Sequence, residues 1–262
     1  MDGQTETVDY LKKSEALLVK QIDISLATYI EDCGHAYISF PPPSTDQNFR
    51  KLDKYCGDIV AGIGNISALV LEVKYNSKGH LNDLNSDQKS GLIELRSRGV
   101  PVFYSYNVDE LSRFPKGAPE QLLALTAIEP AYQTGKAAIT DTSMTLKSAV
   151  DQLLSEPPRH DALALALACF IDVGQSIVNS GVEKLTTKAL LIIYDHSTKH
   201  LASLSKEAVL YVIRRVMENE YVADTKNARD LAKTINTLIS DWNNELDAAH
   251  ERDNGIRSGP KF

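Results

Sequence analysis

The chain has 262 residues, 43% hydrophobic and 24% charged, with a formal net charge of −7. That is the composition of a folded protein with room for one large domain or two small ones, and its acidic balance argues against coating nucleic acid by electrostatics alone. No apolar run reaches the ~18 residues of a membrane-spanning helix, and the acidic start Met1-Asp2-Gly3-Gln4-Thr5-Glu6 lacks the basic head and apolar core of a secretion signal. Cys33, Cys56 and Cys169 are odd in number and have no C-x-x-C spacing. They are expected to be reduced thiols in a cytoplasmic protein without membrane contact, not a zinc site or a disulfide frame.

Leu11, Leu17, Leu18, Ile22, Ile24, Leu26, Tyr29 and Ile30 predict a helix from about Val8 to Cys33, stopped by Gly34. Ala36–Phe40 reads as a strand ended by Pro41-Pro42-Pro43. Cys56–Ala61 reads as a second strand and Gly62-Ile63-Gly64-Asn65 as a turn. Ser67–Tyr75, rich in Val and Leu, is the third and central strand. A polar loop over 76–86 leads to a helix over Asp87–Arg98, capped by Gly99, and a fourth strand over Val100–Tyr106. Beyond Ala118 the strand signals fade. Short helices are expected at 119–129 and 143–155, then four more near 159–180, 183–203, 205–222 and 225–250, with a loose tail from Asp253. The first of the four is apolar nearly all round (Leu163, Leu165, Leu167, Phe170, Ile171, Val173) and is expected to be buried. The expected fold is therefore α/β: a mixed sheet flanked by helices over 1–117, followed by an all-helical region over 118–262.

The chemistry concentrates in two segments, Gly57-Asp58-Ile59-Val60-Ala61 and Ala68-Leu69-Val70-Leu71-Glu72-Val73-Lys74. Glu72 and Lys74 share one face of a strand by its period of two. On the strand–turn–strand reading, Asp58 comes from the neighbouring strand to meet them. Charges on a covered sheet are costly unless they pair or bind a metal. Such a D-x13-E-x-K arrangement, preceded by a helix and followed by a helix and a strand, resembles the PD-(D/E)XK nuclease superfamily, in the branch that holds archaeal junction resolvases. The resemblance spans roughly residues 8–107 and includes Gln88-Lys89 opening a helix that leads into Gly99-Val100-Pro101-Val102. It departs from the usual pattern in having Gly, not Pro, before Asp58.

The resemblance implies a restriction-endonuclease-like fold and Mg²⁺-dependent hydrolysis of phosphodiester bonds in DNA, with Mn²⁺ as a substitute, in defence against foreign DNA or in repair. It implies Asp58, Glu72 and the Val73 carbonyl as metal ligands, Lys74 orienting the attacking water, and Gln88 positioning water or phosphate. Its first-helix glutamate maps to Glu15 or, at the helix end, to Glu31. Many such enzymes act as dimers that cut both strands, so a homo-oligomer (a dimer) or a subunit of a larger complex is expected. Lys78, Lys89, Arg96, Arg98, Arg113 and Lys116 are candidates for a basic rim, and Tyr104 and Tyr106 either stack on bases or lie in the core. His196 and His200 sit four apart on an expected helix without a third metal ligand. The competing readings are that Glu72 and Lys74 are charges on a solvated strand face, or that the chain is a non-catalytic nuclease-like scaffold that binds partners through its helical region.

Overall fold

The structure, a computed structural model, describes residues 3–42, 46–77, 80–81, 99–107, 123, 126–128, 144–159, 161–170, 189–218 and 226–256. In chain order the elements are α1 (Gly3–Asp32), β1 (Ala36–Phe40), α2 (Asp46–Gly62), a 3₁₀ turn (Ile63–Asn65) and β2 (Ile66–Lys74). The short pair β3 (Asn76–Ser77) and β4 (His80–Leu81) follows, then β5 (Val102–Tyr106), β6 (Thr126–Ile128), β7 (Met144–Thr145) and α3 (Leu146–Ser155). The chain continues through α4 (162–170), β8 (Ala189–Asp195), β9 (His200–Ser205), α5 (Lys206–Met217) and α6 (Lys226–Ile256). Among the described residues no helix is long and apolar enough to cross a membrane.

Seven strands form one mixed sheet in the order β1-β9-β8-β2-β5-β6-β7. β2 runs parallel to β5 and antiparallel to β8, and β9 runs antiparallel to β8 and parallel to β1. All nine residues of β2 are buried, as expected of a central strand covered on both faces. Alternation assigns its side chains to two layers. Ile66, Ala68 and Val70 join Leu191, Ile193, Ala202 and Leu204 beneath α2, α4, α5 and α6. Leu69, Leu71 and Val73 join Leu190, Ile192, Tyr194 and Leu201 beneath α1 and α3. On α1 the buried Leu18, Ile22, Leu26 and Ile30 recur every four residues, the spacing that lines one helix face. The helix is followed by Gly34 at φ +77, a left-handed position suited to glycine.

Polar contacts tie the helices together. The Tyr29 hydroxyl donates to Asp151 at 2.5 Å, and Lys147 donates to both groups, joining α1 to α3. Asp53 accepts from Tyr211 and pairs with Arg215, joining α2 to α5. The Tyr37 hydroxyl of β1 donates to Asp23 of α1. The cysteines form no disulfide: Cys33 is exposed and the other two are buried. Burial, followed by the negative charge of Asp53, pushes the Cys56 thiol up to about 12.

Two expectations are corrected. Residues 56–61 are not a strand but the end of α2. Leu52, Cys56, Ile59 and Val60 are its buried stripe, while Lys51, Lys54 and Asp58 face outward. The adjacent Ile59 and Val60 imitate a strand but also fit a wide helical stripe. Nor is the region after residue 118 all-helical. The expected helix near 183–203 covers β8 and the start of β9, two inner strands of the sheet, and β6 falls within the expected helix at 119–129. A continuous apolar run such as Ala189-Leu-Leu-Ile-Ile-Tyr has no period to separate a buried strand from a buried helix. Its hairpin turn is set by Asp195, whose carboxylate accepts from Ser197 and Thr198, and by Lys199 at φ 56. The division expected at 117/118 falls between strands of a single sheet.

Candidate functional site

Buried charge marks one end of this sheet. Among the described residues the buried polar or charged ones include Ser105, Asn107 and Ser205, and three of them are acidic or basic: Glu72, Lys74 and Lys206. All six lie toward the carboxyl ends of β2, β5 and β9. These strands run in the same direction, since β8 is antiparallel to both of its neighbours and β2 is parallel to β5. Carboxyl ends of co-directional strands are where α/β sheets bind ligands.

Glu72 and Lys74 lie on the layer of α2, α4 and α5, continuing the row Ile66, Ala68, Val70. Each is 1% exposed, and Lys74 Nζ lies 3.4 Å from Glu72 Oε1. Desolvating both charges costs several kcal/mol per ion, offset by their attraction only where the geometry is good. The register sets Lys74 beside Tyr106 and Glu72 beside Ala189. The β8 pairing recorded for β2 ends at that Glu72–Ala189 step. Tyr106 is fully buried, which makes it a core residue and not an exposed stacking platform.

The sequence-derived constellation is only partly brought together. Asp58 is on α2, exposed, and lines an open cleft of about 680 Å³ with Asn65, Ile66, Asp195 and His200. That cleft adjoins the opposite end of β2: Ile66 precedes Glu72 by six residues, about 20 Å along a strand. Asp58 therefore does not join Glu72. It was placed there only by reading residues 56–61 as a strand. The cleft contains the Tyr55 phenol, whose pKa is raised by burial and then by the charges of Asp195 and Asp58.

Glu15 is half-buried on α1, a helix that packs on the layer opposite Glu72 and Lys74. Glu31 is exposed near the end of α1. Val73 lies on β2 beside Ser105, with its side chain in the α1 layer. Gln88 lies outside the described residues, as do Lys78, Lys89, Arg96, Arg98, Arg113 and Lys116. His196 and His200 are not one helix turn apart but flank the β8–β9 turn, where His196 Nε2 lies 2.8 Å from Ser67 Oγ. Among the described residues no three His, Cys, Asp or Glu side chains form a metal-holding group. Among the described residues Glu72 is the one buried carboxylate, and of the three ligands the resemblance implies only Glu72 and the Val73 carbonyl stay at this end of β2.

Lys206 and Asn107 did not stand out in the sequence. Asn107 looks like ordinary loop punctuation after a strand. Lys206 gives one signal: it is the first residue of α5, where the helix dipole disfavours a cation.

No family model, curated protein or solved structure matches the chain.

Proposed function

We propose that the chain hydrolyses phosphodiester bonds in nucleic acid, DNA being the substrate its E-x-K segment suggests, from the carboxyl end of the sheet around Glu72 and Lys74. The observation that carries this reading is an ion pair buried on the central strand. Stability does not account for it: replacing a buried pair with packed apolar residues is often neutral, or stabilising by about 1–4 kcal/mol. Lys74 has the chemistry to neutralise a phosphate oxygen and, through its rotatable N–H donors, to orient a water. Glu72 has the chemistry to accept a proton from that water. Mg²⁺ belongs to the resemblance. With Asp58 at the far end of β2, Glu72 is the described carboxylate that would be left to hold it. A dimeric enzyme that cuts both strands, in defence or in repair, is the setting this reading favours.

The test incubates the purified chain with plasmid, single-stranded DNA and RNA, with Mg²⁺, with Mn²⁺ and with EDTA. Wild-type protein is expected to cut. Glu72→Gln and Lys74→Met should lose about 10²-fold or more of the rate while still melting cooperatively, at a lower temperature because each leaves its buried partner uncompensated. Asp58→Ala should keep full activity. An equal loss in Asp58→Ala would refute the site as drawn.

The second reading is a non-catalytic nuclease-like scaffold. The observation favouring it is the separation of Asp58 from Glu72, which leaves the D-x13-E-x-K spacing without a shared site. It predicts that no substrate is cut under any of these conditions.

A further inference from the structure

We propose that the open cleft between α2 and the β8–β9 turn binds a short apolar peptide, two or three residues long, by both of its charged termini. The cleft lies at the opposite end of β2 from Glu72 and Lys74, so this inference is independent of the hydrolase reading.

One stripe of α2 makes one wall. Lys51, Lys54, Tyr55, Asp58, Ile59 and Gly62 all line the cleft and follow one another at the three- and four-residue steps of a single helix face. Ile38 of β1, Ile66 of β2 and residues of the β8–β9 turn make the other wall. Lys51 also lines a small cavity with Ile38 and Ser39, whereas a Cβ at Gly62 would meet Asp195 and Ile66. The cleft therefore runs along α2 from β1 to β2, three strand spacings or about 14 Å. Its volume of about 680 Å³ suits a small molecule.

Charge is divided along that length. The β1 end carries two exposed ammonium groups, Lys51 and Lys54, and Asp58 and Asp195 lie toward the β2 end. Asp195 is engaged by Ser197 and Thr198 within its own turn. Among the described residues Lys51, Lys54 and Asp58 form no ion pair, which leaves Asp58 as the carboxylate open to a ligand. Between the two ends Ile38, Ile59 and Ile66 offer apolar surface. The Tyr55 phenol, its pKa raised by burial and then by the charges of Asp195 and Asp58, stays neutral and able to donate to a peptide carbonyl.

The spacing selects the ligand. Lys54 and Asp58 are about 6 Å apart along the helix axis and Lys51 and Asp58 about 10 Å, while two or three extended residues span about 7–10 Å. A peptide carboxylate at the lysines and its ammonium at Asp58 fit that interval. A single amino acid is too short for it, and the terminus of a folded protein brings only one of the two charges.

The experiment titrates the full chain with the tripeptide Ala-Leu-Ala, with its N-acetyl form and with its C-terminal amide, by isothermal calorimetry. The unblocked peptide is expected to bind, and each blocked form to bind about 2- to 5-fold more weakly, as loss of one partly exposed charge pair implies. Asp58→Asn should lose the same factor and no longer distinguish the acetylated peptide from the unblocked one. The double variant Lys51→Met/Lys54→Met should instead stop distinguishing the amide. Thermal melts check that these exposed substitutions leave the fold intact. If the unblocked peptide does not bind at millimolar concentration, the inference is refuted. If it binds but folded Asp58→Asn still discriminates against the acetylated form, the assignment of the two ends is refuted. Either failure leaves the hydrolase reading standing, since neither readout involves Glu72 or Lys74.

Discussion

His196 sits in the turn between β8 and β9, its backbone N–H donating to the Asn65 carbonyl and its Nε2 meeting Ser67 Oγ. Burial lowers its pKa below the ordinary 6.5, and the charge of Asp195 offsets part of that. The unfolded chain therefore takes up this proton first as the pH falls. The contribution of neutral His196 to stability is complete above about pH 6.5 and is lost as the pH drops through the folded-state value. Asp195 behaves alike in a lower window. Burial raises its pKa, but hydrogen bonds from Ser197 and Thr198 outweigh this and hold it below 3.8, so its contribution is lost only below that range. We expect the melting temperature to fall between pH 7 and pH 5, and His196→Gln, which keeps a hydrogen-bonding group toward Ser67, to flatten that part of the curve. Identical wild-type and variant slopes would remove His196 as the cause. Glu72 and Lys74 were legible because two charges at alternate positions interrupt an otherwise apolar strand. Asp58 was misassigned because its position depended on the type of the element carrying it. Lys206 was hidden because the burial of a helix's first residue is set by tertiary packing, which no local pattern reveals.

At the scale of elements, α1, β1, β2 and β5 follow from pattern and punctuation: a four-residue apolar repeat, alternation, Gly34, and the prolines after Phe40. β8 does not, since its run from Ala189 to Tyr194 is apolar at every position and buried throughout. What makes it a strand is tertiary, namely seven residues of β2 on one side and β9 on the other. The pairing can be tested energetically. Leu69 and Ile192 are cross-strand partners in the α1 layer, 3% and 0% exposed. Truncating either to alanine should cost about 2–5 kcal/mol. Because they touch across the sheet, the double variant should depart from additivity by about 0.5–3 kcal/mol, read from urea melts of the four proteins. Additive losses would mean that residues 189–195 do not pair with β2 in this register, and the site built on Ala189 would have to be redrawn.

For the whole molecule, the decisive fact is that β8 and β9, late in the chain, insert between β1 and β2, which come early. A fragment ending at residue 117 would keep β2 and β5 but lose β8, turning a strand buried on both faces into an open edge. It would also lose α3 over one layer and α4, α5 and α6 over the other. The remaining chain would have to fold with Leu69, Val70, Leu71 and Val73 in contact with water, forfeiting about 1.5–3 kcal/mol for each such side chain. Those losses exceed the usual net stability of about 5–15 kcal/mol when the covering helices are counted as well. Fragment 1–117 alone is therefore expected to show no cooperative melt and to bind hydrophobic dye, and co-expression with fragment 118–262 should restore a folded complex through the β2–β8 and β1–β9 ladders. A sharp, independent melt of 1–117 would instead favour two separately folding units, and the burial of Glu72 and Lys74 could then not depend on residues beyond 117.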